Sequence, residues 1–159
     1  MSQQQFAATV ATITEQLAGK QVNSNLQNLL NEQFGPSSTT FRTLAQLCQE
    51  GIAAGWLCNR EHGGIKFGRV IKPGIETHGF SVDVVEMENI AGPWHAHPQG
   101  EIDMIMSLND DARFDGQTNG WLVYEAGSEH APTVTGGKAI ILYLLPAGEI
   151  DFKVTAPTG

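Results

Sequence analysis

Apolar residues in the first third of the chain recur every three or four positions. Phe6, Val10, Ile13 and Leu17 form one such stripe, and Gly19 follows it as a stop. Asn23 is placed to cap a second helix carrying Leu26, Leu29, Leu30 and Phe34, which Gly35-Pro36 ends. Ser38 or Thr39 caps a third, with Phe41, Leu44, Leu47, Cys48 and Ile52 on one face. The backs of these helices are polar, so their apolar stripes must lie against something else. The pattern predicts a cover or dimerisation element, not an independent domain. A helix-turn-helix DNA reader would need cations, and this segment has only Lys20 and Arg42.

From about residue 60 the texture changes to short runs rich in β-branched, aromatic and other apolar residues. Ile65 to Ile71, Phe80 to Met87, Ile102 to Leu108, Gly120 to Tyr124 and Ala139 to Leu145 read as strands. Turns such as Asn109-Asp110-Asp111, Asp115-Gly116 and Gly136-Gly137 separate them. No helix-length segment lies between these strands, so a parallel α/β fold is excluded in favour of a sandwich or small barrel. The expected division is a helical segment over residues 1–58 packed on a β-barrel over residues 59–159.

Composition narrows the function. The 159 residues fit one domain, and 18 glycines suit a fold with many tight turns. A net charge of −8 argues against nucleic acid and anionic membrane surfaces, since both would repel the chain. No stretch approaches 18 apolar residues, and the first thirty residues contain no signal-like apolar run. Cys48 and Cys58 are too few for a disulfide framework and read as small buried hydrophobes. The expectation is a cytoplasmic protein acting on a small molecule or another protein.

Within the β-rich part, Gly92-Pro-Trp-His95-Ala-His97-Pro-Gln-Gly-Glu101 brings three good metal ligands together at the start of an apolar run. Side chains on a strand alternate faces, so a continuous strand would put His95, His97, Glu101 and Asp103 on one face and Ile102, Met104 and Met106 on the other. His130, after the turn-like Gly127-Ser-Glu, supplies a fourth ligand. Buried imidazoles and carboxylates carry a desolvation cost that coordination relieves. Neutral imidazole plus carboxylate suits a divalent metal such as Zn, Fe, Mn or Ni.

His95-x-His97-x-x-x-Glu101 resembles the first cupin motif, and Gly127-x-x-His130 resembles the core of the second. The resemblance implies a mainly β fold, the cupin double-stranded β-helix (jelly roll), preceded here by the N-terminal α-helical segment. It also implies that the three His and one Glu bind a divalent metal. Glu125 stands where the second motif ordinarily has proline, and Gly92 lies closer to the histidines than its usual counterpart. A resemblance over nearly the whole chain adds to this. Gly55-Trp-Leu-Cys-Asn-Arg60, His78-Gly-Phe-Ser-Val-Asp-Val, Gly100-Glu-Ile-Asp103 and Leu142-Tyr-Leu-Leu-Pro146 are similar to the 4-hydroxylaminobenzoate lyase family. That similarity implies conversion of 4-hydroxylaminobenzoate to 3,4-dihydroxybenzoate with release of ammonia, and a homodimer.

For such chemistry Asp103, with Glu101, is the acid–base candidate; equally, Asp103 would be a hydrogen-bonded carboxyl that orients a ligand. Arg60 and Arg69 are the best cations for the carboxylate of a small aromatic acid, because guanidinium pairs a carboxylate bidentately. Trp94 and Tyr124 would form an aromatic wall or plain core. His78 is a further acid–base candidate or a merely hydrogen-bonded strand-end residue, and His62 is expected to be exposed. Two other functions use the same ligands: a non-haem iron dioxygenase, and a non-catalytic cupin that binds aromatic acids.

Overall fold

The structure, a computed structural model, describes residues 2–157. Three helices come first: α1 (Ser2–Leu17), α2 (Ser24–Gln33) and α3 (Thr39–Ala54). The Asn23 side chain accepts from the Leu26 N–H and Ser38 from the Phe41 N–H, so both caps sit where the sequence places them. Gly55 closes α3 in the left-handed conformation at φ 88°.

Nine strands follow: β1 (Arg60–His62), β2 (Ile65–Ile71), β3 (Phe80–Ala91), β4 (His95–His97), β5 (Glu101–Ser107), β6 (Arg113–Phe114), β7 (Gly120–Tyr124), β8 (Ser128–His130) and β9 (Thr133–Pro146). An antiparallel sheet runs in the order β1-β2-β3-β9-β5-β7, with β6 also on β9, while β4 and β8 form a separate pair. The five strands read from sequence are all present. The short, polar β1, β4, β6 and β8 carry too few apolar residues to announce themselves.

Strand alternation gives the sheet two apolar faces. Val82, Val84, Ile102, Met104, Met106, Leu142 and Leu144 pack with the helical stripes in one core cluster. Met87, Ile105, Phe114, Val134, Ile141 and Tyr143 form a second cluster on the opposite, inner face. The helical segment therefore covers the outer face of the barrel. Each fully buried Leu or Phe of its stripes contributes roughly 1.5–3 kcal/mol that a free helix could not obtain.

The helices also engage one sheet edge. Asn31 donates to the Trp121 carbonyl at 3.1 Å and accepts from the Trp121 N–H at 2.8 Å, while Gln27 accepts from the Val123 N–H at 2.9 Å. Four residues of helix rise by about 6 Å, close to the roughly 6.6 Å of two strand residues, so the two amides of α2 track alternate residues of β7. Among the described residues, no helix is long and apolar enough to cross a membrane.

The single strand expected to carry His95 through Asp103 is not continuous. β4 ends at His97, and β5 begins at Glu101 in a different sheet. Pro98 cannot extend a central strand, and Gly100 turns the chain at φ 95°.

Candidate active site

The break at residues 98–100 builds the site instead of spoiling it. It folds β4 back over the inner face of β5, with β8 alongside: His95 lies opposite His130, and His97 opposite Ser128. Two glycines allow this. At Gly100 a Cβ would lie 2.7 Å from Val22 Cγ1 and 2.9 Å from the Tyr124 carbonyl, at a backbone angle that L residues rarely adopt. At Gly127 (φ 86°) the chain turns into β8, and its N–H donates to the His97 carbonyl at 2.8 Å.

Three imidazoles thereby meet one carboxylate. Nε2 of His97 and of His95 lie 3.2 and 3.4 Å from Glu101 Oε1, and His130 Nε2 lies 3.5 Å from Oε2. The ligand atoms of these four residues all fall within 4.8 Å of one another. His95, His97 and Glu101 are buried and His130 nearly so.

The far sides of the rings fix which nitrogen faces the centre. His95 Nδ1 is 3.2 Å from the Pro93 carbonyl, and His130 Nδ1 is 2.7 Å from Asp115 Oδ2; both partners only accept. His97 Nδ1 is 2.8 Å from Ser128 Oγ, whose own hydrogen goes to the Glu125 carbonyl at 2.6 Å. Ser128 therefore accepts, and all three rings carry hydrogen on Nδ1. Each Nε2 is left to face the centre.

His97 Nε2 and both Glu101 oxygens are buried without a hydrogen-bond partner. Burial alone would push the Glu101 pKa up, yet the three imidazoles hold it well below the usual carboxylate range. Burial opposes charge on His130 too, but Asp115 and Glu101 outweigh it and lift its pKa to about 9. The centre thus favours added positive charge, and the donor set of three imidazoles and one carboxylate fits a divalent cation that displaces the His130 proton.

Asp103 shares the inner face of β5 with Glu101, is fully buried, and has no hydrogen-bond partner for either oxygen. Burial and the neighbouring Glu101 charge push its pKa well above the usual range. It is not among the residues that line the adjacent cavity.

Asp115, read from sequence only as a turn residue, ties the site together. Its Oδ1 accepts from the Thr133 N–H at 2.9 Å, and its Oδ2 accepts from His130 Nδ1 and from the Tyr124 hydroxyl. No spacing signal marks it, because its partners come from three separate segments. An Asp115→Asn variant is expected to weaken divalent-metal retention by roughly 10- to 100-fold, checked by competition with a chromogenic chelator.

A cavity of about 410 Å³ opens beside the cluster, with His95 and Glu101 among its lining residues. Ile65, Phe67, Val85, Met87 and Leu145 make its apolar walls. The chain's last segment straps across β4: Asp151 and Ala96 exchange both backbone hydrogen bonds, at 2.8 and 3.0 Å. That contact brings Phe152 to the cavity, its ring 5.4 Å from the His95 ring.

Arg60, His62 and Arg69 also line the cavity. Arg69 is committed: Nε and Nη2 donate to the two Asp83 oxygens at 2.8 and 3.3 Å, and Nη2 to the Gly148 carbonyl at 3.1 Å. Arg60 is exposed on the edge strand β1 and has no partner among the described residues. His62 is exposed as expected, and His78 holds Thr14 Oγ1 at 2.9 Å through Nδ1.

Trp94 and Tyr124 do not line the cavity. Trp94 Nε1 donates to Glu129 at 2.9 Å, and Tyr124 packs against the His97 and His130 rings. The rings that do line it besides His95 and His62, namely Phe67, Tyr143 and Phe152, went unrecognised in the sequence. A wider depression of about 650 Å³ beside the α1–α2 connection contains none of the cluster residues. Both cysteines are buried and free.

The antiparallel strands, with the His-x-His-x-x-x-Glu and Gly-x-x-His motifs converging on their inner face, have the cupin fold. More narrowly, a model of the 4-hydroxylaminobenzoate lyase family matches residues 8–152, and the chain belongs to that family of enzymes. It is 33% identical over 151 residues to a 4-hydroxylaminobenzoate lyase of Nocardioides sp., covering 89% of each chain. To one of Pseudomonas putida it is 34% identical over 154 residues, covering 86% of this chain and 88% of that one. Among solved structures, a crystal structure of DMSP lyases shares the fold at 15% identity and a TM-score of 0.51, over 86% of this chain and 80% of that one.

Proposed function

We propose that this enzyme converts 4-hydroxylaminobenzoate, or a closely related hydroxylamino-aromatic acid, to 3,4-dihydroxybenzoate. One water enters and one ammonia leaves, so no redox partner is needed. The observation that carries this reading is the cavity: it has an apolar middle for a ring, cationic side chains for a carboxylate, and the His/Glu cluster at its wall.

In this reading His95, His97, Glu101 and His130 hold a divalent metal ion, Zn, Fe, Mn or Ni. Such an ion, when bound, acts as a Lewis acid toward oxygen or makes water more acidic. The chain's own residues do the rest. The apolar walls seat the ring and exclude bulk water, which strengthens every polar contact inside. Arg60, having no internal partner, takes the substrate carboxylate, while Arg69 is held by Asp83 and shapes the wall. Asp103 is fully buried on the Glu101 face of β5 and does not line the cavity, which favours a positioning role over direct acid–base work on substrate. A homodimer and a cytoplasmic location belong to the same reading, and light scattering tests the first.

The decisive assay follows ammonia and catechol formation from 4-hydroxylaminobenzoate under anaerobic conditions. Stoichiometric release of both is the expected result; a dioxygenase would stop without oxygen, and no product at all sinks the reading. Replacing Arg60 by Gln is expected to raise KM by about 10- to 100-fold, the value of a charged hydrogen-bonded pair, with kcat changed far less. An unchanged KM in steady-state assays would move the anchor elsewhere.

A further inference from the structure

Of the cavity's Phe and Tyr rings, only Tyr143 carries a polar group. It stands on β9 directly opposite Asp83 of β3 on one side and Asp103 of β5 on the other. Arg69 of β2 is in turn opposite Asp83, so Arg69, Asp83, Tyr143 and Asp103 form one row across the inner face. The outer pairing in that row is satisfied, because Arg69 grips Asp83. Tyr143 is only 6% exposed, and its hydroxyl makes no hydrogen bond within the described residues. A phenol placed in an apolar cavity without a partner is costly unless a ligand supplies one.

Position then says what part of a ligand it meets. Strands in a sheet lie about 4.8 Å apart, so Tyr143 on β9 is one spacing from the Glu101 strand and three from Arg60 on β1. A phenol is protonated at neutral pH and burial keeps this one so, so it acts as a donor. Arg60 lines the same cavity and has no partner among the described residues, so an aromatic carboxylate pairs with it there. The ring's para substituent is left beside Tyr143.

The geometry points to Tyr143 as the residue that reads the para substituent of the bound aromatic acid, donating a hydrogen bond to its hydroxylamino oxygen. This rests on the proposed lyase reading for the identity of the substituent, though not for the existence of the contact. Phe in place of Tyr keeps the ring and removes only the hydroxyl.

The test measures Kd for two probes, 4-hydroxybenzoate and benzoate, by calorimetry on the as-isolated wild type and on Tyr143→Phe, beside melting curves, metal content and turnover of 4-hydroxylaminobenzoate. Wild type should prefer 4-hydroxybenzoate. In the variant that preference should shrink roughly five- to tenfold, the worth of one neutral hydrogen bond, with metal content and Tm unmoved and kcat lowered more than KM. A wild type that binds the two probes equally, or a variant that keeps the full preference, overturns the inference. If wild type discriminates through Tyr143 yet yields no product, the lyase reading falls and the contact stands.

Discussion

A His97→Ala variant is expected to lose its divalent metal and its product formation together, with turnover falling at least about 100-fold. His97 is the most enclosed of the ligands: it is fully buried, its Nδ1 is fixed by Ser128, and its Nε2 has no partner but the centre. Removing the ring leaves Glu101 a buried carboxylate with one fewer counter-group, a penalty of several kcal/mol that the site cannot relax away. Metal analysis of the purified variant and the ammonia assay read the two losses separately. Loss of metal with activity retained would leave the fold intact and dismiss metal-dependent chemistry. Exhaustive chelation of the wild type should reproduce the variant, and re-addition of the ion should restore activity only in the wild type.

The largest effect on stability is expected at Trp121, where Ala should cost about 3–5 kcal/mol. The indole is 3% exposed within the helix-facing core, and its Nε1 donates to the Phe34 carbonyl at 2.9 Å. Truncation opens a cavity in that core and strips an acceptor at the end of α2 of its donor. Chemical denaturation followed by fluorescence of the remaining tryptophans and by circular dichroism gives the number. A loss below about 1 kcal/mol would mean that the helical segment contributes little to holding the barrel.

Much of this architecture is legible in the sequence because burial is periodic. The three helical stripes, the caps at Asn23 and Ser38 and the five long strands follow from spacing alone. The cluster of His95, His97, Glu101 and His130 was legible for a subtler reason. Alternation along one continuous strand placed three of them together, whereas in the molecule two strands of different sheets face each other across the Gly100 turn. Parity survived the break because the polar face of each segment points to the same interior. Asp115, Tyr143 and Phe152 stayed hidden, since their roles arise from pairings between distant strands that no local pattern encodes. Trp94 and Tyr124 do not line the cavity because Trp94 bonds to Glu129 and Tyr124, on β7, packs against the His97 and His130 rings.

The two amides that α2 lends to β7 bear on how the chain meets copies of itself. A bare terminal strand offers its N–H and C=O groups to any passing strand, inviting runaway association. Here the Trp121 and Val123 positions are already taken by Asn31 and Gln27, residues made some ninety positions earlier, as the separation of 90 between Asn31 and Trp121 records. The guard is therefore synthesised first and waits for the strand it protects. A chain lacking its opening helices would fold, if at all, into a barrel with an unguarded flank, prone to join its neighbours edge to edge. Strand-to-strand pairing of two intact chains through β7 would first have to displace these two amides.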